Sequence, residues 1–259
     1  MATIESYGTR LPGLEYSDLI GKLIVIEGAD CVGRSTQISL LKIWLQMNGR
    51  AVVDTELALS SLVGEGLKAA KLGHTLGPIT MNLFYTTDLI DSLEHIIVPA
   101  LRAGFVVVAD RYIYTLMARA MVRGMDKEWL EKVYSFALKP DATLYLQLDV
   151  KELIPRVLHS NGFNFWESGM DLRLGETYYE SFCEYQQRLI RNLDAMVKNY
   201  NFIPIDASKT TEEVFEEIKL KVAPIFDTEE SARLKKDSKE PASKSESKTE
   251  SKAESKSEA

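Results

Sequence analysis

An α/β fold, a five-stranded parallel sheet flanked by helices on both faces, is what this sequence predicts. Three observations carry the prediction. Short apolar runs alternate with longer amphipathic stretches from Leu23 to Val222. Runs such as LIVIE and FVVVAD are continuous rather than alternating, as strands buried on both faces require. A glycine-bearing turn links the first run to the first helical pattern.

The elements follow in order. LIVIE, residues 23–27, is a first strand, and a helical pattern from Ser35 to Met47 closes at Asn48-Gly49. AVVDT, residues 51–55, is a second strand. A long helix is expected from Pro78 to Ala103, with its proline in the first turn. FVVVAD (105–110) and ATLYLQLDV (142–150) are the third and fourth strands. A helix over 177–200, the short strand FIPID (202–206) and a helix over 212–222 complete a single domain spanning residues 1–226. From Asp227 to Ala259 the text is almost all Ser, Lys, Glu and Ala, too poor in apolar surface to offset its chain entropy, so a disordered tail is expected there.

Composition narrows the function. The formal net charge is −7 and the basic residues are dispersed, which argues against a broad nucleic-acid face. No apolar run reaches the ~18 residues of a membrane span. Cys31 and Cys183 lie far apart, without metal-ligand spacing or a disulfide framework. With no apolar leader near the N-terminus, a cytoplasmic protein with neither a nucleic-acid nor a membrane partner is expected.

The chemistry concentrates between the first strand and the first helix. Gly28-Ala29-Asp30-Cys31-Val32-Gly33-Arg34-Ser35 fits G-x-x-x-x-G-K-[ST] at every fixed position but one, where Arg34 replaces lysine. Backbone N–H groups and a helix N-terminus there face an anion, and the Ser35 hydroxyl can reach Mg²⁺. Arginine is a wider, planar fork than lysine, but it keeps the positive charge and can bind two phosphate oxygens.

IEGADCVGRSTQISLLKIWL, LFYTTDLIDSLEHIIVPALRAG, ADRYIYT, KPDATLYLQLDVKELIPR and IDASKTTEEV together resemble the thymidylate kinases from about Gly21 to Val222. The resemblance implies a P-loop kinase fold, a homodimer, and transfer of the ATP γ-phosphoryl to dTMP with Mg²⁺. It places Gly28 to Thr36, Arg156 and Ser208 against the cofactor, and Ser35 and Asp110 at the metal. Asp110, Arg111 and Arg34 would serve catalysis. Asp30, Arg111, Tyr112 and Arg119 would meet the acceptor. The chain departs from the family at Glu56 and Asp88, carboxylates where the family presents arginines, and at Arg119-Ala120, where it presents Tyr-Gln. Two acids facing a phosphomonoester of charge about −1.5 to −2 would oppose it. A second reading therefore stays open, an unphosphorylated nucleoside acceptor with Glu56 as general base. A third is a nucleotide-binding homologue with impaired catalysis. Finally, Phe163, Phe165 and Trp166 cluster in the loop Ser160–Gly169, either as a plug over the site or as packing.

Overall fold

The computed structural model describes residues 4–57, 60, 62–73, 76–160 and 162–237. Five strands, β1 Lys22–Gly28, β2 Val52–Glu56, β3 Val106–Asp110, β4 Ala142–Gln147 and β5 Ile203–Asp206, form one sheet in the order β2-β3-β1-β4-β5. Every pairing is parallel. Each of the five predicted strands is present, within a residue or so at most ends. The exception is the fourth, which stops at Gln147 because Asp149 caps the next helix by accepting from the Lys151 amide.

The helices are α1 Arg34–Met47, α2 Gly64–Gly73, α3 Pro78–Ser92, α4 Val98–Arg102, α5 Ile113–Val122, α6 Lys127–Val133, α7 Val150–His159, α8 Tyr178–Met196 and α9 Thr211–Asp237. The predicted long helix is continuous but not uniform. Leu93–Ile97 winds as a π-helical turn between α3 and α4. Pro99 follows it, and a proline there lacks an N–H and crowds the carbonyl four residues back, which a wider turn relieves. A capping box, Thr177 with Glu180, starts α8.

The sheet is buried on both faces. Leu23 and Val25 of β1, Val107 of β3 and Tyr145 of β4 join one cluster with α3, α5 and α8. Ile24, Ile26, Val108 and Leu144 are equally buried but point the other way, as strand alternation demands, where Leu41 of α1 and Leu153 of α7 are also buried.

Residues 1–222 form one compact unit and 223–259 another. α9 runs on to Asp237, into the stretch over which a disordered tail is expected. The sequence TEESARLKKD is rich in good helix formers, and a helix already running needs no new nucleus. Residues 238–259 of the expected tail lie outside the described residues.

Candidate active site

Three strand ends build the site. β1 runs into the phosphate loop, its neighbour β3 ends at Asp110, and β2, beyond β3, ends at Glu56 in register with Asp110. This is the carboxyl edge of the sheet, where open α/β folds bind ligands. The loop wraps tightly. Gly28 has φ 149°, and a Cβ there would lie 2.8 Å from the Leu146 carbonyl oxygen of β4. Gly33 has φ 106° and caps α1, so its amide and those after it open toward the concavity.

Arg34 is only 8% exposed. Its Nε donates to Asp110 Oδ1 at 2.6 Å and its Nη1 donates to the carbonyls of Gly28, at 2.8 Å, and Ala29. The sequence makes Arg34 a phosphate clamp. The structure instead turns the fork back onto the loop, because two carbonyls and a carboxylate satisfy its donors there. Ser35 and Thr36 open α1 with exposed side chains. A hydroxyl and one carboxylate, Ser35 and Asp110, are hard oxygen donors of the sort that suit Mg²⁺ held mainly through phosphates. Among the described residues no cluster of three or more His, Cys, Asp or Glu could hold a metal by itself.

Across the loop lies a second charged group. Asp30 is buried and accepts from Arg111 Nη2, from Arg119 Nη2 at 2.9 Å and from Gln186 Nε2 at 3.2 Å. Burial alone would raise the Asp30 carboxyl, but the guanidiniums of Arg111, Arg119 and Arg34 hold it well below the ordinary carboxylate range. Burial, then the charge of Arg34, pulls Arg111 down to about 10 against the attraction of Asp30, so it stays charged at neutral pH. Its backbone sits at φ 69° and donates to the Ile26 carbonyl at 3.0 Å, which turns the side chain from the end of β3 toward Asp30.

Beyond these arginines opens a cavity of about 460 Å³. Leu116, Arg119 and Ala120 of α5, with Arg123 just past its end, form one wall and Met81 and Asn82 of α3 another. Phe165 and Trp166 border it from the loop after α7. The aromatic cluster thus divides. Phe163 packs on Phe182 with ring centroids 5.0 Å apart, whereas Trp166 roofs the cavity and ties it to α2 by donating from Nε1 to the Lys71 carbonyl at 3.1 Å. A smaller cavity of about 100 Å³ lies on the other side of the loop, bordered by Gly33, Thr36, Arg156, Ala207 and Lys209. Arg156 fixes that side by donating to the carbonyls of Val32 at 2.9 Å and Ala207 at 2.8 Å.

Not every expected site residue converges. Tyr112 is 1% exposed and packs edge-on against Tyr114, so it belongs to the core beneath the site. Ser208 spends its hydroxyl and amide on Asp206, at 2.6 and 3.0 Å, and its neighbours border the small cavity instead. Asp88 is 2% exposed and accepts from the Ser60 amide at 2.9 Å. It secures the loop after β2. Glu56 is exposed and shares only a narrow cleft with Asp88 and Arg111.

Sequence reasoning missed three residues. Glu27, fully buried at the end of β1, accepts from the amides of Tyr112 at 2.9 Å and Thr115 at 3.2 Å and from the Thr115 hydroxyl, pinning the start of α5. Burial raises its carboxyl above the ordinary value. Gln186 bridges Asp30 to the Glu167 carbonyl. Arg123 donates to Asp171 at 2.8 and 3.2 Å and to Tyr185 Oη at 2.9 Å, and lies over the Trp166 ring at 5.9 Å. Its one visible signal was a cation one helical turn after Arg119.

The family model described as thymidylate kinase matches residues 26–218, from the end of β1 into α9. The chain belongs to the thymidylate kinase family. Among relatives, it is 39% identical over 197 residues to "Probable thymidylate kinase 2" of Saccharolobus solfataricus, covering 75% of this chain and 92% of that protein. It is 29% identical to "Probable thymidylate kinase" of Thermococcus gammatolerans, covering 77% and 94%, and 29% identical to "Thymidylate kinase" of Gloeobacter violaceus, covering 82% and 99%. The thymidylate kinase match spans both cavities and the loop between them.

Proposed function

We propose that this chain transfers the γ-phosphoryl group of ATP to the 5′-phosphate of dTMP, giving dTDP and ADP. It is a nucleotide kinase, a phosphotransferase of nucleotide biosynthesis. The observation that carries the reading is the pair Arg111 and Arg119, set by Asp30 between the phosphate loop and the 460 Å³ cavity. Phosphoryl transfer asks chiefly for positioning and for neutralisation of the moving oxygens. Cations where loop and cavity meet supply both.

The triphosphate lies along Gly28–Ser35, with its base end toward the small cavity beside Arg156. Ser35 and Asp110 would hold Mg²⁺, which would supply positive charge against the phosphate oxygens. Arg34 adds positive charge from within the loop and reaches outward only by releasing Asp110. Arg111 then serves the donor and acceptor phosphates together. A phosphate monoester is largely ionised at neutral pH, so its attacking oxygen needs no base, and Glu56 is not required as one. The comparisons favour this acceptor over a free nucleoside.

A cytoplasmic homodimer is part of the proposal. Among the described residues no helix is long and apolar enough to cross a membrane. The test is ADP release from Mg-ATP across a panel of nucleosides and nucleoside monophosphates. dTMP is expected to lead the panel. Turnover of thymidine but not dTMP would reverse the reading, and light scattering checks the dimer.

A further inference from the structure

The larger cavity does not stand alone. A second chamber of about 330 Å³ adjoins it, and the two share Pro78, Met81, Arg123, Phe165 and Trp166 as walls. Leu76, Asp171 and Leu172 border only the second chamber. We propose that the acceptor pocket takes pyrimidine deoxynucleoside monophosphates with an extended substituent at C5, the substituent occupying the second chamber; this rests on the dTMP reading above.

The orientation follows from charge. The acceptor phosphate belongs at Arg111 beside the loop, so the ring lies beyond Arg119, between α5 and α3. A pyrimidine ring has a polar edge, two carbonyls and an N–H, and a carbon edge at C5 and C6. Polar groups border the first cavity at Asn82, Arg123 and Asn164. Asn82 is 5% exposed and is held in place beneath the cavity floor, so Arg123 and Asn164 are the polar groups that a ring edge meets. With the polar edge met there, the carbon edge is left for the apolar walls, and those are the walls through which the second chamber opens. Ala120, where the resembled family has glutamine, leaves that side of the ring uncrowded. Leu76, Pro78, Met81, Phe165, Trp166 and Leu172 give the chamber mostly apolar walls, and the charges of Arg123 and Asp171 there are spent on each other, so an uncharged hydrocarbon arm suits it.

The experiment compares dTMP with 5-(1-propynyl)-dUMP on the full chain, by calorimetric dissociation constants and by kcat/KM from ADP release. The propynyl nucleotide is expected within about threefold of dTMP on both. Leu172→Trp, which fills only the second chamber, is expected to weaken the propynyl ligand at least tenfold and dTMP less than twofold, and Leu76→Trp repeats the test from another wall. Wild-type binding of dTMP with a thirtyfold loss for the propynyl ligand overturns the proposal. So does equal loss of both ligands in both variants, or dGMP binding as tightly as the propynyl nucleotide, which would mean unspecific room. If dTMP binds without turnover, the kinase reading fails, while the ratio of the two dissociation constants still decides the chamber. Binding of neither overturns both.

Discussion

Arg34 and Asp30 occupy one loop and answer opposite needs. The Arg34 fork braces two loop carbonyls and restrains Asp110. Arg34→Ala therefore removes charge from the cradle and leaves Asp110 unrestrained, and kcat/KM for dTMP is expected to fall at least 100-fold. Arg34→Lys keeps a compact cation and should stay within about tenfold; ADP release measures both, and a fully active alanine variant refutes the role. Asp30→Asn strands two guanidiniums. Breaking a buried pair costs on the order of 3 kcal/mol, roughly 10 °C in Tm for a domain of this size. The sign with pH follows from a depressed carboxyl. Its contribution is present above the unfolded value near 4 and is lost as pH falls toward the lower folded value. The Tm gap between wild type and Asp30→Asn should therefore be widest at pH 6–8 and narrow below about pH 4, as calorimetric scans would show; a gap independent of pH contradicts the assignment. Gly28, Ser35, Asp110 and Arg111 were legible because a fixed spacing or a strand end marks them. Glu27 was not, since its partner Thr115 lies 88 residues away and only the packing of β1 on α5 brings them together.

At the scale of elements, the strands were readable because burial on both faces leaves unbroken apolar text, and the first helix because Asn48-Gly49 ends it. The short helices α2, α5, α6 and α7 escaped notice. Tyr112 starts α5 with its amide held by Glu27 from another strand, a cap that no local sequence encodes. The loop after α7 was half legible. Its aromatic cluster stood out, but its attachment through Arg123 to Asp171 and Trp166 depends on α5 lying alongside. The turn from loop to α1 carries its own test. Gly33 has open space around it, a Cβ meeting nothing nearer than Arg156 Nη1 at 3.9 Å, but its φ of 106° is hostile to a β-branched side chain. Gly33→Val should misdirect the loop amides and abolish calorimetric ATP binding. Unchanged affinity would show that the cradle lies elsewhere.

For the whole molecule, the unit 1–222 contains the sheet, both cavities and the loop. Truncation after Phe226 should leave ATP affinity unaltered and shift Tm by less than about 2 °C. A large drop would assign the removed residues to the stability of the kinase unit. The strand order has a further consequence, for synthesis. β1 leaves the ribosome well before its two partners, Val106–Asp110 and Ala142–Gln147. Gly28 rests against Leu146, more than a hundred residues downstream. Such distant parallel pairing must wait for loop closure that a partial chain cannot perform. A nascent chain arrested between α1 and β4 thus carries the entire phosphate-loop sequence and no phosphate site, so ATP in the cell cannot act as a folding ligand until β4 has been made.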